Sequence, residues 1–493
     1  MEKQIKTDVV VVGGGISGLS VGHFLNRAGL QVRVVEKEAY PGGNIRTAYL
    51  NGFRMELGPT SILLTSPLIT QLISDVGLEN EVIFSNPQAE RRFILKEGKL
   101  QPMPFSPPAF FRTPLFSWRT KLRLMMEPFI APHDPNSEPT LAEFVRRRLG
   151  SEILEYAVDP FVAGIFAGSP ERLSVRAAFP RLWELEQRYG SFIRGTFAGR
   201  RERKKRSSVS KNAAKMFSFR KGLQELIQAL YAMYQDSVIT QAEITSVQKE
   251  GNWFVTRMET PEGPLHVISR AVVSAIPAYA YGEQFPFLPR EILSILHAIE
   301  YAPIAVVFVG YNRWDTRAHP LDGFGFLVPR SEKRRILGVL WNSSIFPERA
   351  PDGGAALTVY IGGSRQPELV DLPESALTHI ALEELKALLH VQAAPDEVFV
   401  KKYEKAIPQY TIGHPDRVAR LRQFQETVPG FYFTGNFLEG VSVSDCIKNG
   451  AAVADDVLRY LEAQWDFTRP EQGTVHQAPL QSQKADDLKP YLN

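Results

Sequence analysis

Three glycines and one carboxylate are the first residues in this chain whose types and spacing could do chemistry. Gly13, Gly15 and Gly18 form G-x-G-x-x-G, with Gly14, Ile16 and Ser17 between them, and Glu36 closes the next apolar run. Such a set holds a pyrophosphate and a ribose. The first glycine permits a tight turn, the second lets backbone approach the pyrophosphate, and the third lets a helix pack on a strand. The helix N-terminus adds free N–H groups facing the phosphate charge. An acid at Glu36 accepts from ribose hydroxyls and favours a plain ribose over a 2′-phosphate. The nine histidines form no metal-ligand pair, and Cys446, the one cysteine, can form neither an internal disulfide nor a cysteine metal cluster.

The elements that must position these residues are legible around them. Val9–Val12 is a run of four β-branched residues and reads as a strand buried on both faces. Leu19 to Ala28 has helical spacing and stops at Gly29; Val32–Val35 is the second strand. An ordinary strand–turn–helix would need the glycines too, but would not explain Glu36 followed by Gly42, Gly43, Asn44 and Arg46. That G-G-x-x-R element is the second signature of flavoproteins with an extended FAD, so FAD is expected rather than NAD. A hairpin about Asn51-Gly52 then ends in a Gly58-Pro59 loop able to approach a flat ring.

Further along, 89–104 reads as a hairpin. The proline- and aromatic-rich stretch 105–118 is expected to be neither sheet nor helix. Arg119 to Glu127 is amphipathic, which suits a membrane surface or packing on its own domain equally. Thr140 and Glu143 open a helix as a capping box, with Arg146–Arg148 as its solvated face. A helix from Glu152 is expected to stop at Pro160, and the charge run Arg200–Arg206 to be an exposed loop. Strands return after residue 238, so the first domain should be completed by later sequence. The strand at 430–437 and the helix after it would offer a second helix N-terminus to the cofactor. Residues 467–493 read as a flexible polar tail.

The chain has 493 residues, 44% hydrophobic and 23% charged, which calls for two or three domains and excludes wholesale disorder. A net charge of +3 gives no footprint for nucleic acid. Cysteine scarcity fits a reducing compartment. With the first strand beginning a few residues from the start, no signal or transit peptide is expected, and no apolar run is long enough to span a bilayer.

Later motifs carry a resemblance. The chain resembles the oxygen-dependent protoporphyrinogen oxidase family in Gly13–Gly18, Gly42–Arg46 and Glu56–Pro59. Further on it does so in Asp159-Pro-Phe-Val-Ala-Gly164 with Ala177–Trp183, Ser218–Gly222, Phe346-Pro347 with Tyr360–Gly363, Ile407-Pro-Gln-Tyr410-x-Ile-Gly-His414 and Gly440–Ile447.

The resemblance implies an α/β chain, α+β overall, in three parts. These are a discontinuous Rossmann-type FAD domain (1–85, 222–285, 402–462), a mainly helical membrane-facing domain (90–195), and a mixed substrate domain (196–221, 286–401). FAD would contact Gly13, Gly14, Gly15, Ile16, Ser17, Gly18, Glu36, Lys37, Gly43, Asn44, Arg46, Gly58, Pro59, Thr60, Ser61, Val238, Val441, Ser442 and Val443. Arg92 would hold a substrate propionate, as a guanidinium fork can do bidentately and a lysine cannot. Gly164 would bring backbone to the macrocycle, Leu327 and Leu340 would sandwich one pyrrole, and Tyr360 would stack on another.

Protoporphyrinogen loses six electrons in becoming protoporphyrin. The implied reaction is three hydride transfers to the flavin, with O2 reduced to hydrogen peroxide; no catalytic side chain is assigned. Coproporphyrinogen is the alternative substrate, kept open by Arg91 beside Arg92; a flavin amine oxidase is a more distant one. The family further implies haem or chlorophyll biosynthesis, a cytoplasmic enzyme peripheral on the inner face of the cell membrane, a ferrochelatase or magnesium chelatase taking the product, and possible homodimers.

Overall fold

The structure, a computed structural model, describes residues 3–195 and 214–466, with side chains of the last helix described to residue 464. The charge run at 200–206 and the tail 467–493 lie outside the described residues.

A five-stranded parallel sheet organises the N-terminal residues. Its order is Val238–Ile239, Val32–Val35, Val9–Val12, Ala271–Ser274, Phe431–Phe433. Strands distant in sequence thus complete it. Val9, Val11 and Val34 face one core, beneath Ile16–Arg27 and Val443–Asp466. Val10, Val12 and Val35 face another, shared with an antiparallel meander of 243–269. Alternating apolar residues therefore bury both sheet faces, which is why the run is continuously β-branched.

The second sheet has seven strands, in the order Glu397–Pro408, Tyr301–Tyr311, Ala355–Gly362, Gly338–Trp341, Gly325–Leu327, Arg92–Lys96, Lys99–Pro102. All neighbours are antiparallel except Gly325–Leu327 with Arg92–Lys96. One face carries Phe93, Val307, Phe326, Val339, Trp341 and Leu357, and packs on the helix Glu374–Leu389 through Leu377, Ile380 and Leu385.

Several expectations are corrected. The stretch 105–118 does contain a helix, Pro107–Arg112, because both prolines sit in its first turn, where no intrahelical donor is needed; Ser106 caps it. Pro160 does not stop its helix. Leu154–Val158 widens to a π-turn and the helix resumes as Asp159–Phe166, so the missing proline donor falls at a new first turn. Arg148 is fully buried, ion-paired with Glu127 and Glu186, rather than solvated. The divisions also shift. The hairpin Arg92–Pro102 belongs to the large sheet, and residue 402 falls inside a strand of that sheet. Met216–Phe219 pairs with 62–63 and 82–84 and buries Phe217 and Phe219 in the N-terminal core.

Candidate functional site

The turns that follow the parallel strands converge. Gly13 comes directly after Val12, Glu36 after Val35, and Thr434 after Phe433, at the carboxyl edge where ligands of such sheets bind. Gly13 has φ +102°, and a Cβ on Gly18 would lie 1.9 Å from the Gly13 carbonyl oxygen. No side chain caps the helix that starts at Ile16. A Cβ on Gly15 would meet nothing within 4 Å, so the turn forms an open cradle beside uncapped N–H groups.

The other expected cofactor residues gather round it. The Gly42 N–H donates to the Gly14 carbonyl at 2.8 Å, which joins G-G-x-x-R to the first turn. A Cβ on Gly43 would lie 3.5 Å from Gly15 Cα, and one on Gly58 would lie 2.0 Å from the Asn44 carbonyl oxygen. The Leu57 N–H donates to the Arg46 carbonyl at 2.9 Å, leaving Pro59, Thr60 and Ser61 half-buried nearby in sequence. Val238 pairs in register with Val34. The Ser444 hydroxyl donates to the Leu63 carbonyl at 2.7 Å, which ties the turn carrying Val441, Ser442 and Val443 to the strand Ile62–Leu63. Ser442 itself accepts from the Asp445 N–H, so the last helix begins capped.

Glu36 is buried and accepts the Gly14 N–H at 2.8 Å and the Glu38 N–H at 2.9 Å. Each carboxylate oxygen keeps a further acceptor site, so it can still take a ribose hydroxyl. Lys37 departs from the group, its ammonium lying in solvent 3.8 Å from Glu38. Arg46 donates to the Tyr40 carbonyl at 2.8 Å. The cradle, the uncapped helix and the acid fit the pyrophosphate and ribose of FAD.

The expected substrate residues meet on the second face of the seven-stranded sheet. Register places Arg92, Gly325, Leu340 and Thr358 in one cross-strand row, and Ile94, Leu327, Gly338, Tyr360 and Val306 in the next. Residues paired across strands share a face, so Arg92, Leu327, Leu340 and Tyr360 all point the same way. From Arg92 to Tyr360 the face crosses three strand spacings, about 14 Å. Each row is interrupted by a glycine. A Cβ at Gly325 would lie 2.1 Å from the Val339 carbonyl oxygen, and one at Gly338 would lie 2.6 Å from that of Phe326. The helix Asp159–Phe166 lies over this face with Gly164 exposed, where a Cβ would meet Leu327 Cδ2 at 2.9 Å.

At the edge, the Arg92 guanidinium lies over the Phe324 ring, 4.9 Å from its centroid, and pairs with no carboxylate among the described residues. Its side chain reaches solvent, yet burial of its inner part lowers its pKa, with Glu90 acting in the opposite sense. Arg91 instead ion-pairs with Asp322. Burial raises the pKa of the Tyr360 hydroxyl, which stays neutral.

Val441, from the first group, and Leu327, from the second, both pack against one apolar cluster, whose members include Ile94, Phe166 and Tyr410. Sequence comparison places the arrangement. The description "Flavin containing amine oxidoreductase" matches residues 16–458. The chain is 35% identical over 480 residues to a chloroplastic protoporphyrinogen oxidase of Oryza sativa subsp. japonica, covering 93% of this chain and 89% of that one. The chain belongs to the protoporphyrinogen oxidase family of flavin-containing amine oxidoreductases. It is thus a flavin-dependent oxidoreductase. A coproporphyrinogen III oxidase of Bacillus subtilis is 29% identical, covering 92% of this chain and 99% of its own length. The crystal structure of a candidate protoporphyrinogen oxidase from Exiguobacterium sp. 255-15 superposes with TM-score 0.76 at 25% identity, covering 94% of this chain and 99% of that one.

Sequence reasoning missed what holds the family's motifs together. Glu56 is buried and accepts from Thr47 Oγ1 at 2.8 Å, the Leu223 N–H at 2.9 Å and Arg349 at 3.2 Å. Burial raises its pKa against the pull of Arg349. This pair ties the hairpin Thr47–Glu56 to the short helical turn Pro347–Arg349, which lies between two strands of the second sheet. The signal available was Glu56 in an apolar stretch, where an acid needs a partner.

Proposed function

We propose that this enzyme oxidises protoporphyrinogen to protoporphyrin on the glycine-interrupted face of the seven-stranded sheet, with Arg92 holding a propionate at its edge. The observation that carries the reading is the register that puts Arg92, Leu327, Leu340 and Tyr360 on one face under Gly164. Bound flavin supplies the redox chemistry, accepting two electrons and passing them to oxygen. The chain's own residues bind and orient. A guanidinium without a carboxylate partner is free to take a substrate carboxylate. At Gly325 and Gly338 a Cβ would strike carbonyls of the neighbouring strands, so these positions hold the strands close and add no side chain to the face. Leu327, Leu340 and the neutral Tyr360 give the macrocycle an apolar bed that excludes water.

Among the described residues of this face, Arg92 is the arginine without a carboxylate partner, which favours a substrate with few propionates. Arg91, which could have received another, is engaged with Asp322. The test is anaerobic addition of protoporphyrinogen, with flavin bleaching followed by recovery on admitting oxygen. Parallel turnover on coproporphyrinogen, read as the rise in porphyrin fluorescence, should be slower; faster turnover there would reverse the assignment.

The helical region supports a second proposal, contact with a lipid surface. Among the described residues no helix is long and apolar enough to cross a membrane. The helix Trp118–Met125 is turned inside out. Lys121 is buried, donating to the Phe111 and Thr113 carbonyls, while Trp118, Leu122, Met125, Met126 and Phe129 are each more than half exposed. Arg112, Arg119 and Arg123 are exposed among them. Apolar side chains ringed by cations suit an anionic bilayer. Flotation with anionic vesicles should carry the protein, and a Trp118→Ser/Leu122→Ser variant should stay behind; equal flotation of both would remove this surface from consideration.

A further inference from the structure

The segment Ile407–His414 is one of the chain's distinctive motifs, yet none of its side chains belongs to the proposed cofactor or substrate contacts. It runs from the last residues of the strand Glu397–Pro408 to the start of the helix His414–Thr427. Its side chains reach two places. Gln409 is buried, and its Nε2 donates to the Phe166 carbonyl at 2.7 Å. Phe166 is the last residue of the helix that carries Gly164. Beyond it Ala167 turns left-handed, with φ +47°, and its carbonyl accepts the Ser364 N–H at 2.7 Å. The other end of that helix is held by Arg365, 2.8 Å from Asp159. The wall over the substrate face is therefore fastened at both ends by polar groups.

The second place is the turn before Val441. The Tyr410 hydroxyl donates to the Asn436 carbonyl, and the His414 ring lies 3.1 Å from the Leu438 carbonyl through Nε2. The two rings stack, with centroids 4.3 Å apart, and Tyr410 also packs edge-on against Phe166. Tyr410 is 2% exposed, so its hydroxyl has no water to replace that acceptor. One short segment thus grips the end of the Gly164 helix with one side chain and the cofactor-side turn with the next.

We propose that Ile407–His414 is a strap that sets the spacing between the substrate wall and the cofactor-side turn, with Gln409 and Tyr410 as positioning residues for porphyrinogen oxidation. This rests on the substrate face assigned above. Electron transfer by hydride needs the reacting atoms within near-attack distance, and a misplacement of about 1 Å can cost about 10²-fold in rate. A strap that holds wall and turn to a fraction of that distance controls the reductive step. It has no part in the reaction of reduced flavin with oxygen.

The test uses Tyr410→Phe and Gln409→Leu in the FAD-loaded enzyme. In anaerobic single turnover with protoporphyrinogen, each should slow flavin reduction about tenfold, well within the range for sub-ångström misplacement. Flavin content and the rate of reoxidation by oxygen should match the wild type. In the FAD-loaded enzyme without substrate, Tyr410→Phe should speed amide hydrogen exchange at 163–167 as well as at 436–443, and Gln409→Leu should speed it at 436–443 as well as at 163–167. The double variant should be no slower than the slower single variant, since both cut one connection.

Wild-type reduction rates in Tyr410→Phe, or exchange that rises only beside the substituted residue, would overturn the strap. Tyr410→Phe keeps the ring and so decides the matter even if Gln409→Leu fails to fold. If the wild type itself is not bleached by protoporphyrinogen, the substrate assignment falls, and the exchange measurement still judges the strap.

Discussion

The two large sheets solve their binding tasks in opposite ways. The parallel sheet uses backbone. The glycines of its first turn and the acid Glu36 all lie between positions 13 and 36, and both its faces are buried under apolar cores. The seven-stranded sheet uses a face. The residues proposed to hold substrate run from Arg92 to Tyr360, on four strands, and share a face only because of register. A phosphate is small, and fixed N–H dipoles can meet it from one turn. A flat macrocycle needs a broad bed, which no single turn can supply. The cofactor side should therefore fail all at once when damaged, and the substrate side by degrees.

The largest effect is expected on the cofactor side. In Gly18→Ala the added methyl would lie 1.9 Å from a backbone oxygen, and backbone cannot swing aside. Overpacking of this kind costs up to about 3 kcal/mol, and the purified protein should be colourless and less resistant to urea. Full flavin occupancy would show that the turn is looser than its geometry indicates.

On the substrate side, Arg92→Ala should lower kcat/KM by about 10- to 100-fold, the loss of one charged hydrogen-bonded contact. The change should sit in KM, with kcat and flavin content close to normal. Steady-state kinetics that put the loss in kcat would move Arg92 from binding to the reacting atoms.

At the junction of the two sides, burial lowers the pKa of His414 to about 4. Its folded value is below the unfolded value of about 6.5, so the unfolded chain binds the extra proton between those limits. The stabilising contribution is whole above the unfolded pKa and is lost as pH falls toward the folded one. Urea titrations at pH 7.5 and 5 should differ by about 2 kcal/mol from this group, and His414→Gln should remove that part of the difference. An unchanged pH dependence would mean that His414 is not held neutral.

The smallest effect is expected for Gly164→Ala. The new methyl would meet Leu327 Cδ2 at 2.9 Å, the tip of a side chain that can turn. A several-fold rise in KM should follow, and in the double variant with Leu327→Ala the two changes should cost less than the sum of the single ones. A loss as large as that of Gly18→Ala would erase the contrast between the two sides.

Much of the cofactor side was legible because it is local. Glycine conformation, the β-branched strand and the acid after the next strand are properties of neighbouring residues, and the structure has the left-handed turn at Gly13, the buried strand Val9–Val12 and Glu36 directly after Val35. The helical region was less legible. Arg148 and Lys121 look like surface cations, and the partners that bury them, Glu127, Glu186 and two backbone carbonyls, come from elsewhere in the fold. Pro160 looked like an end, because a π-turn is set by packing and not by composition.

The sequence by itself determined that a dinucleotide is held, by which turn, and through the G-G-x-x-R element and family motifs that it is a flavin. Those features depend on backbone geometry within a few residues. Only the tertiary structure decided which residues share the face proposed for substrate, that Arg91 is ion-paired with Asp322 while Arg92 meets no carboxylate among the described residues, and that Gln409 and Tyr410 reach the Phe166 and Asn436 carbonyls. Strand register and buried polar partners arise between segments hundreds of residues apart, and only packing brings those segments together.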